Sequence, residues 1–151
     1  MTPAFLAVSA VATLAACAPT IGVEVAPDAA DPKCAEVMLA LPDVLGGDLQ
    51  KIQTTSQATA AWGEPGAAVT LRCGVTPPGP STDCQRVESA GGTVDWIVAT
   101  DGEGTWHFTT YGREPAVEVV APPAVTVDHS TAFVADLAQA VSHVEQTQHC
   151  S

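Results

Sequence analysis

Asp128, His129 and Ser130 hold the residue types of an acid, a base and a nucleophile. Side chains adjacent in sequence cannot converge on one substrate as a triad must, so the three read as a helix-capping segment. His143 and His149 are six residues apart, off the spacing that sets two ligands on one helical face, and His107 stands alone on a strand-like run. No G-x-S-x-G elbow, phosphate-binding glycine loop or dinucleotide fingerprint occurs. We therefore assign no catalytic residue, no metal and no cofactor. What remains is a set of charges and aromatics in apolar surroundings: Trp62, Asp95, His107, Tyr111, Arg113 and Glu118. An unpaired ion there would be costly, so Arg113 is expected to pair with Glu118 or Asp95. Trp62, Tyr111 and Arg113 also combine broad apolar contact with a fork of donors, the chemistry of a recognition surface.

The elements that must position these residues can be read from period and punctuation. Val94 to Thr100 and Thr105 to Tyr111 are strand-like runs around Asp101-Gly102-Glu103-Gly104, a hairpin signal. If Asp101 pairs with Thr105, then Trp96, Val98, Trp106 and Phe108 share one face. Parity sends Asp95, Ile97, Ala99, His107, Thr109 and Tyr111 to the other. Any recognition site is expected on that mixed second face, continuing into Arg113 and Glu118. Val69, Leu71, Cys73 and Val75 alternate with polar residues as a half-buried strand does, Thr76 to Asp83 must be a loop, and Ala116 to Val120 is a further strand. Asp31-Pro32 opens a helix with Cys34, Val37, Met38 and Leu41 on one face, and Pro42 ends it. Phe133, Leu137, Val141 and Val144 recur at helical spacing behind Asp128 or Ser130 as cap. The expected class is α+β: a small antiparallel sheet with two helices packed on one face, stapled by disulfides.

Length, charge and cysteines bound the setting. The 151 residues carry 5 Lys plus Arg against 17 Asp plus Glu, a net charge of −12 that repels phosphate backbones and argues against nucleic acid as a partner. From Pro3 to Thr20 there is no charged side chain, and Ala4 to Ala12 has the length of a signal-peptide apolar region, too short to favour a membrane span. Leu14-Ala15-Ala16-Cys17 resembles the bacterial lipobox, which implies cleavage after residue 16 and lipid on Cys17. We expect residues 1–16 to be a lipoprotein signal peptide, 17–32 a tether, with Ile21 to Val25 as a potential edge strand, and 33–151 a single domain. Cys34, Cys73, Cys84 and Cys150 form an even set with three connectivities and no C-x-x-C. Cys73 and Cys84 bracket a Pro/Gly loop, and Cys34 and Cys150 lie at the two ends of the domain. The expected pairs are therefore Cys73–Cys84 and Cys34–Cys150.

Leu41-Pro42, Trp62-Gly63, Leu71-Arg72-Cys73-Gly74-Val75, Asp95-Trp96 and Thr109-Thr110-Tyr111-Gly112-Arg113-Glu114-Pro115-Ala116-Val117-Glu118-Val119 occur in this order. Together they resemble the actinobacterial secreted family described as domain of unknown function 3515, over roughly Cys34 to the C-terminus. The resemblance implies an exported or membrane-anchored envelope protein. The function expected from the chain as a whole is a non-enzymatic envelope lipoprotein, an accessory or binding module for an envelope protein or cell-wall component. It would be held by its N-terminal lipid on the outer face of the cytoplasmic membrane. The alternatives are an envelope hydrolase or transferase, which needs Asp95, His107 or Glu118 in a cleft, and a small-ligand carrier with an apolar pocket.

Overall fold

Asp101 closes the central hairpin: its Oδ1 accepts from the amides of Glu103 and Thr105, both at 2.9 Å, and its own amide donates to the Thr105 carbonyl. The computed structural model describes Met1 and residues 17–151, so the apolar run read as a signal peptide lies outside the described residues. In chain order the elements are β1 (Thr20–Ile21), α1 (Pro32–Leu39), β2 (Val44–Leu45), β3 (Leu49–Thr54), β4 (Thr59–Glu64), β5 (Ala67–Val75), β6 (Cys84–Ser89), β7 (Gly92–Thr100), β8 (Trp106–Thr110), β9 (Ala116–Ala121), α2 (Pro123–Thr126), a 3-10 helix (Thr131–Leu137) and α3 (Ala138–Val141). The strands form one sheet in the order β1-β3-β4-β5-β9-β8-β7-β6, with β2 on β3. Val98 lies opposite Phe108 and Ala99 opposite His107, the expected register. Trp96 meets the edge of Phe108 at 6.3 Å, and Trp106 stacks on it at 6.2 Å.

The face so defined is the core. Val69, Leu71, Cys73, Trp96, Phe108, Val117 and Val119 are buried on it under Cys34 and Val37 of α1 and under Phe133, Leu137 and Val141 of the C-terminal helical segment. Asp31 caps α1 as its sequence requires, its side chain accepting from the Lys33 amide at 2.8 Å, with Pro32 at the first helical position. Asp31→Ala should lower stability by about 1 kcal/mol, read as a shift of the urea midpoint without a change of slope.

The expectations for the sheet, the second helix and the disulfides are corrected. The sheet is not small and antiparallel: it has nine strands, and β1 runs parallel to β3. β3 (LQKIQT), β4 (TAAWGE) and β6 (CQRVES) lack the clean apolar alternation that marks a strand in sequence, and neighbouring strands supply what their side chains do not. The second helix is a 3-10 helix followed by one turn of α-helix, because apolar spacing reports which residues face the core and not the hydrogen-bond type that gets them there. The disulfides join Cys34 to Cys73 and Cys84 to Cys150. Cys73 points into the core, where α1 lies, whereas Cys84 pairs opposite Ile97 and so faces the other side. Four strand steps separate β5 from β6, about 19 Å, which no disulfide between Cys73 and Cys84 can bridge.

The segment expected to be a tether is part of the fold. After β1, residues 22–30 cross the second face of the sheet as a strap. The Asp28 amide donates to the Gly74 carbonyl at 2.9 Å, and Ala26 and Ala29 are buried against Val75 and Ala116. Gly74 sits at φ +96° in the bulge of β5, and a Cβ there would lie 2.4 Å from the Asp28 carbonyl carbon, so glycine permits the approach.

Candidate functional site

The six side chains singled out in the sequence do not gather in one place. Trp62 is fully buried and its Nε1 donates to the Pro42 carbonyl at 2.8 Å, so it is a core residue and offers no surface to a partner. Tyr111 is also buried, at 6 % exposure. The other four divide between a closed ionic cluster and an open cleft.

The closed cluster is built around Asp95, whose side chain has no exposure. Arg86 holds it with two bonds, Nε to Oδ1 at 2.9 Å and Nη2 to Oδ2 at 3.2 Å. Oδ2 also accepts from Gln146 Nε2 at 3.0 Å and the Cys150 amide at 2.8 Å. Gln146 turns its oxygen to Arg113, which also donates to the carbonyls of Val144 and Thr93. Burial works against the Asp95 charge, yet the Arg86 hydrogen bonds, the Cys150 amide, the Arg86 charge and Gln146 together hold its carboxyl below the usual range. Burial lowers the Arg113 pKa and Asp95 opposes this. Of the two partners expected for Arg113, Glu118 is not taken, and Asp95 is reached through Gln146, which joins both groups in one cluster. Arg113 faces the C-terminal tail, which also donates from the Thr147 amide to the Gly112 carbonyl. A Cβ on Gly112 would run into Gln148, so the Gly112-Arg113 pair of the long motif is explained as a seat for the chain end. The cluster binds residues 146–150 of the protein itself.

The open cleft lies on the second face of the sheet. Arg72 and Glu118 stand directly opposite each other on β5 and β9, with Arg72 Nε 2.6 Å from Glu118 Oε1. Arg72 thus takes the Glu118 carboxylate, one of the two partners expected for Arg113. Among the described residues, the two Arg72 amino groups and Glu118 Oε2 have no hydrogen-bond partner. The strap passes over the pair and leaves space on both sides. One cleft of about 710 Å³ is lined by Glu24, Gln57, Arg72, Thr76, Thr109 and Glu118, and a second of about 310 Å³ by Thr70, Arg72, His107, Glu118 and the strap at Gly22 to Glu24. His107 and Glu118 therefore share a cleft, and Asp95 is not in it.

Arg72, Arg86 and Gln146 are the residues that sequence reasoning missed. Arg72 alternates with buried neighbours on β5, so parity could have placed it beside Glu118; Gln146 carries no local signal. The chemistry available in the cleft is recognition of a partner with both a donor and an acceptor group. Among the described residues, no group of three or more His, Cys, Asp or Glu side chains could hold a metal, and no helix is long and apolar enough to cross a membrane.

A family model described as "Protein of unknown function (DUF3515)" matches residues 2–150. No curated protein and no solved structure matches the chain.

Proposed function

This chain belongs to the DUF3515 family, and from that premise we propose that it is an exported, lipid-anchored accessory module that recognises an envelope protein or cell-wall component through the strap-crossed cleft. The observation that carries the reading is the second face of the sheet: the helices leave it bare, and it presents an ion pair with unused donors and an unused acceptor in a cleft beside the strap. Two further facts support it. The chain carries two disulfides, which persist in oxidising compartments, and a free, exposed Cys17 follows Leu14-Ala15-Ala16. Of the carboxylates that an envelope hydrolase would need, Asp95 is engaged by three donor groups and lies outside the cleft.

The anchor is tested by Cys17→Ser, which should move the protein from the membrane fraction to the soluble one or leave an unprocessed precursor, since the acyl chains that retain it would be lost. Unchanged membrane retention of a processed Cys17→Ser protein would sink the anchor. The cleft is tested in intact cells with a photocrosslinking residue at His107 and, as control, at Val127, which is 76 % exposed. A discrete adduct is expected from His107 alone. No adduct, or the same adducts from both positions, would remove the cleft as the recognition site.

A further inference from the structure

We propose that the sheet edge formed by β1, β3 and the turn into β4, together with residues 17–23, is a bilayer-facing surface that lies against lipid headgroups. This rests on the anchor reading and adds where the domain stands once it is anchored.

The first observation is length. Thr20 and Ile21 pair with Gln53 and Thr54, and the Thr55 amide donates to the Ile21 carbonyl at 3.1 Å. The Val23 amide donates to Thr55 Oγ1 at 3.2 Å, and the strap beyond is fastened at Asp28, Ala26 and Ala29. In a protein cleaved before Cys17, Cys17, Ala18 and Pro19 alone would precede this fastened chain. Three residues span at most about 11 Å even when fully extended, so the β1 edge of a protein held through Cys17 stays within reach of the headgroups. The β6 edge lies seven strand steps away, about 34 Å along the sheet.

The second observation is charge. The chain has a net charge of −12, yet residues 17–23 and 52–63 carry no charged side chain. The pairing of β1 with β3 brings these two segments together, so two uncharged stretches of an acidic protein, bounded by Lys51 and the exposed Glu24, meet at the point where the chain would enter the membrane. Its exposed side chains include Thr20, Gln53, Thr55 and Gln57. Acidic groups at that edge would meet the negative potential of an anionic bilayer at short range, whereas hydroxyls and amides can hydrogen-bond headgroups without that repulsion.

The test couples the mature chain, residues 17–151, through the thiol of Cys17, the free cysteine among the described residues, to a maleimide lipid in phosphatidylcholine–phosphatidylglycerol vesicles with a headgroup nitroxide. A fluorescent amino acid is placed at Thr55 or at Ala90, both exposed and at opposite ends of the sheet. Quenching at position 55 is expected to exceed that at position 90 several-fold. The double variant Gln53→Glu, Gln57→Glu should reduce it on these vesicles and leave it unchanged on pure phosphatidylcholine. Equal quenching at both positions, or an acidic variant without effect on anionic vesicles, would overturn the proposal. Because the coupling is chemical, this outcome is separate from the anchor itself, which fails if the N-terminal peptide from native membranes lacks the acyl mass.

Discussion

Replacing Asp95 with Ala should destabilise the protein by about 3 kcal/mol, the low end of the range for breaking a buried ion pair, because its partner Arg86 is half-exposed. The side chain has no exposure, and its loss leaves Arg113 buried without the neighbouring negative charge and Gln146 and the Cys150 amide without their acceptor. Glu118→Ala is the control: its pair with Arg72 is partly solvated and should be worth about 1 kcal/mol or less. Urea unfolding of both variants at neutral pH measures the difference, and equal losses would show that the Asp95 cluster is not the dominant ionic support. The pH dependence has a definite sign. The folded protein holds Asp95 below its usual pKa, so its contribution is whole above about 3.9, the ordinary value for Asp, and is lost as the pH falls through the lower folded value. The wild type should therefore lose stability on acidification into that window by more than Asp95→Ala does.

Removing the Cys84–Cys150 bridge should have an effect of similar size. With a sequence separation of 66 between the cysteines, chain entropy alone assigns the bond about 4 kcal/mol, and the Cys34–Cys73 bond, at a separation of 39, nearly as much. Cys84→Ala with Cys150→Ala should also free residues 146–151, which would show as rapid amide exchange confined to the tail. Because the tail supplies two of the donors to Asp95, Asp95→Ala should cost less in that background than in the wild type, a coupling that a double-mutant cycle resolves. Additive losses would mean that the bridge and the ionic cluster act independently. Non-reducing peptide mapping should recover Cys34 linked to Cys73 and Cys84 linked to Cys150.

The sequence by itself determined the features that depend on near neighbours. The Asp101 hairpin, its register and the division of Trp96 and Phe108 from Asp95 and His107 follow from a three-residue loop and a period of two. The Asp31-Pro32 helix start follows from a cap, and the C-terminal apolar stripe from its spacing. The tertiary structure alone decided the partners of groups far apart in the chain. Strand order places β9 between β5 and β8, and that gives Glu118 to Arg72 rather than to Arg113. It separates Cys73 from Cys84 by four strand steps and puts them on opposite faces. The strap was legible only as a composition rich in Ala and Pro; its docking depends on a bulge at Gly74 that forms when β5 pairs with β9. Trp62 belonged by type to either a surface or a core, and burial under α1 and the C-terminal helical segment chose the core. Local period sets which face a residue takes, and only the order of strands sets what it meets there.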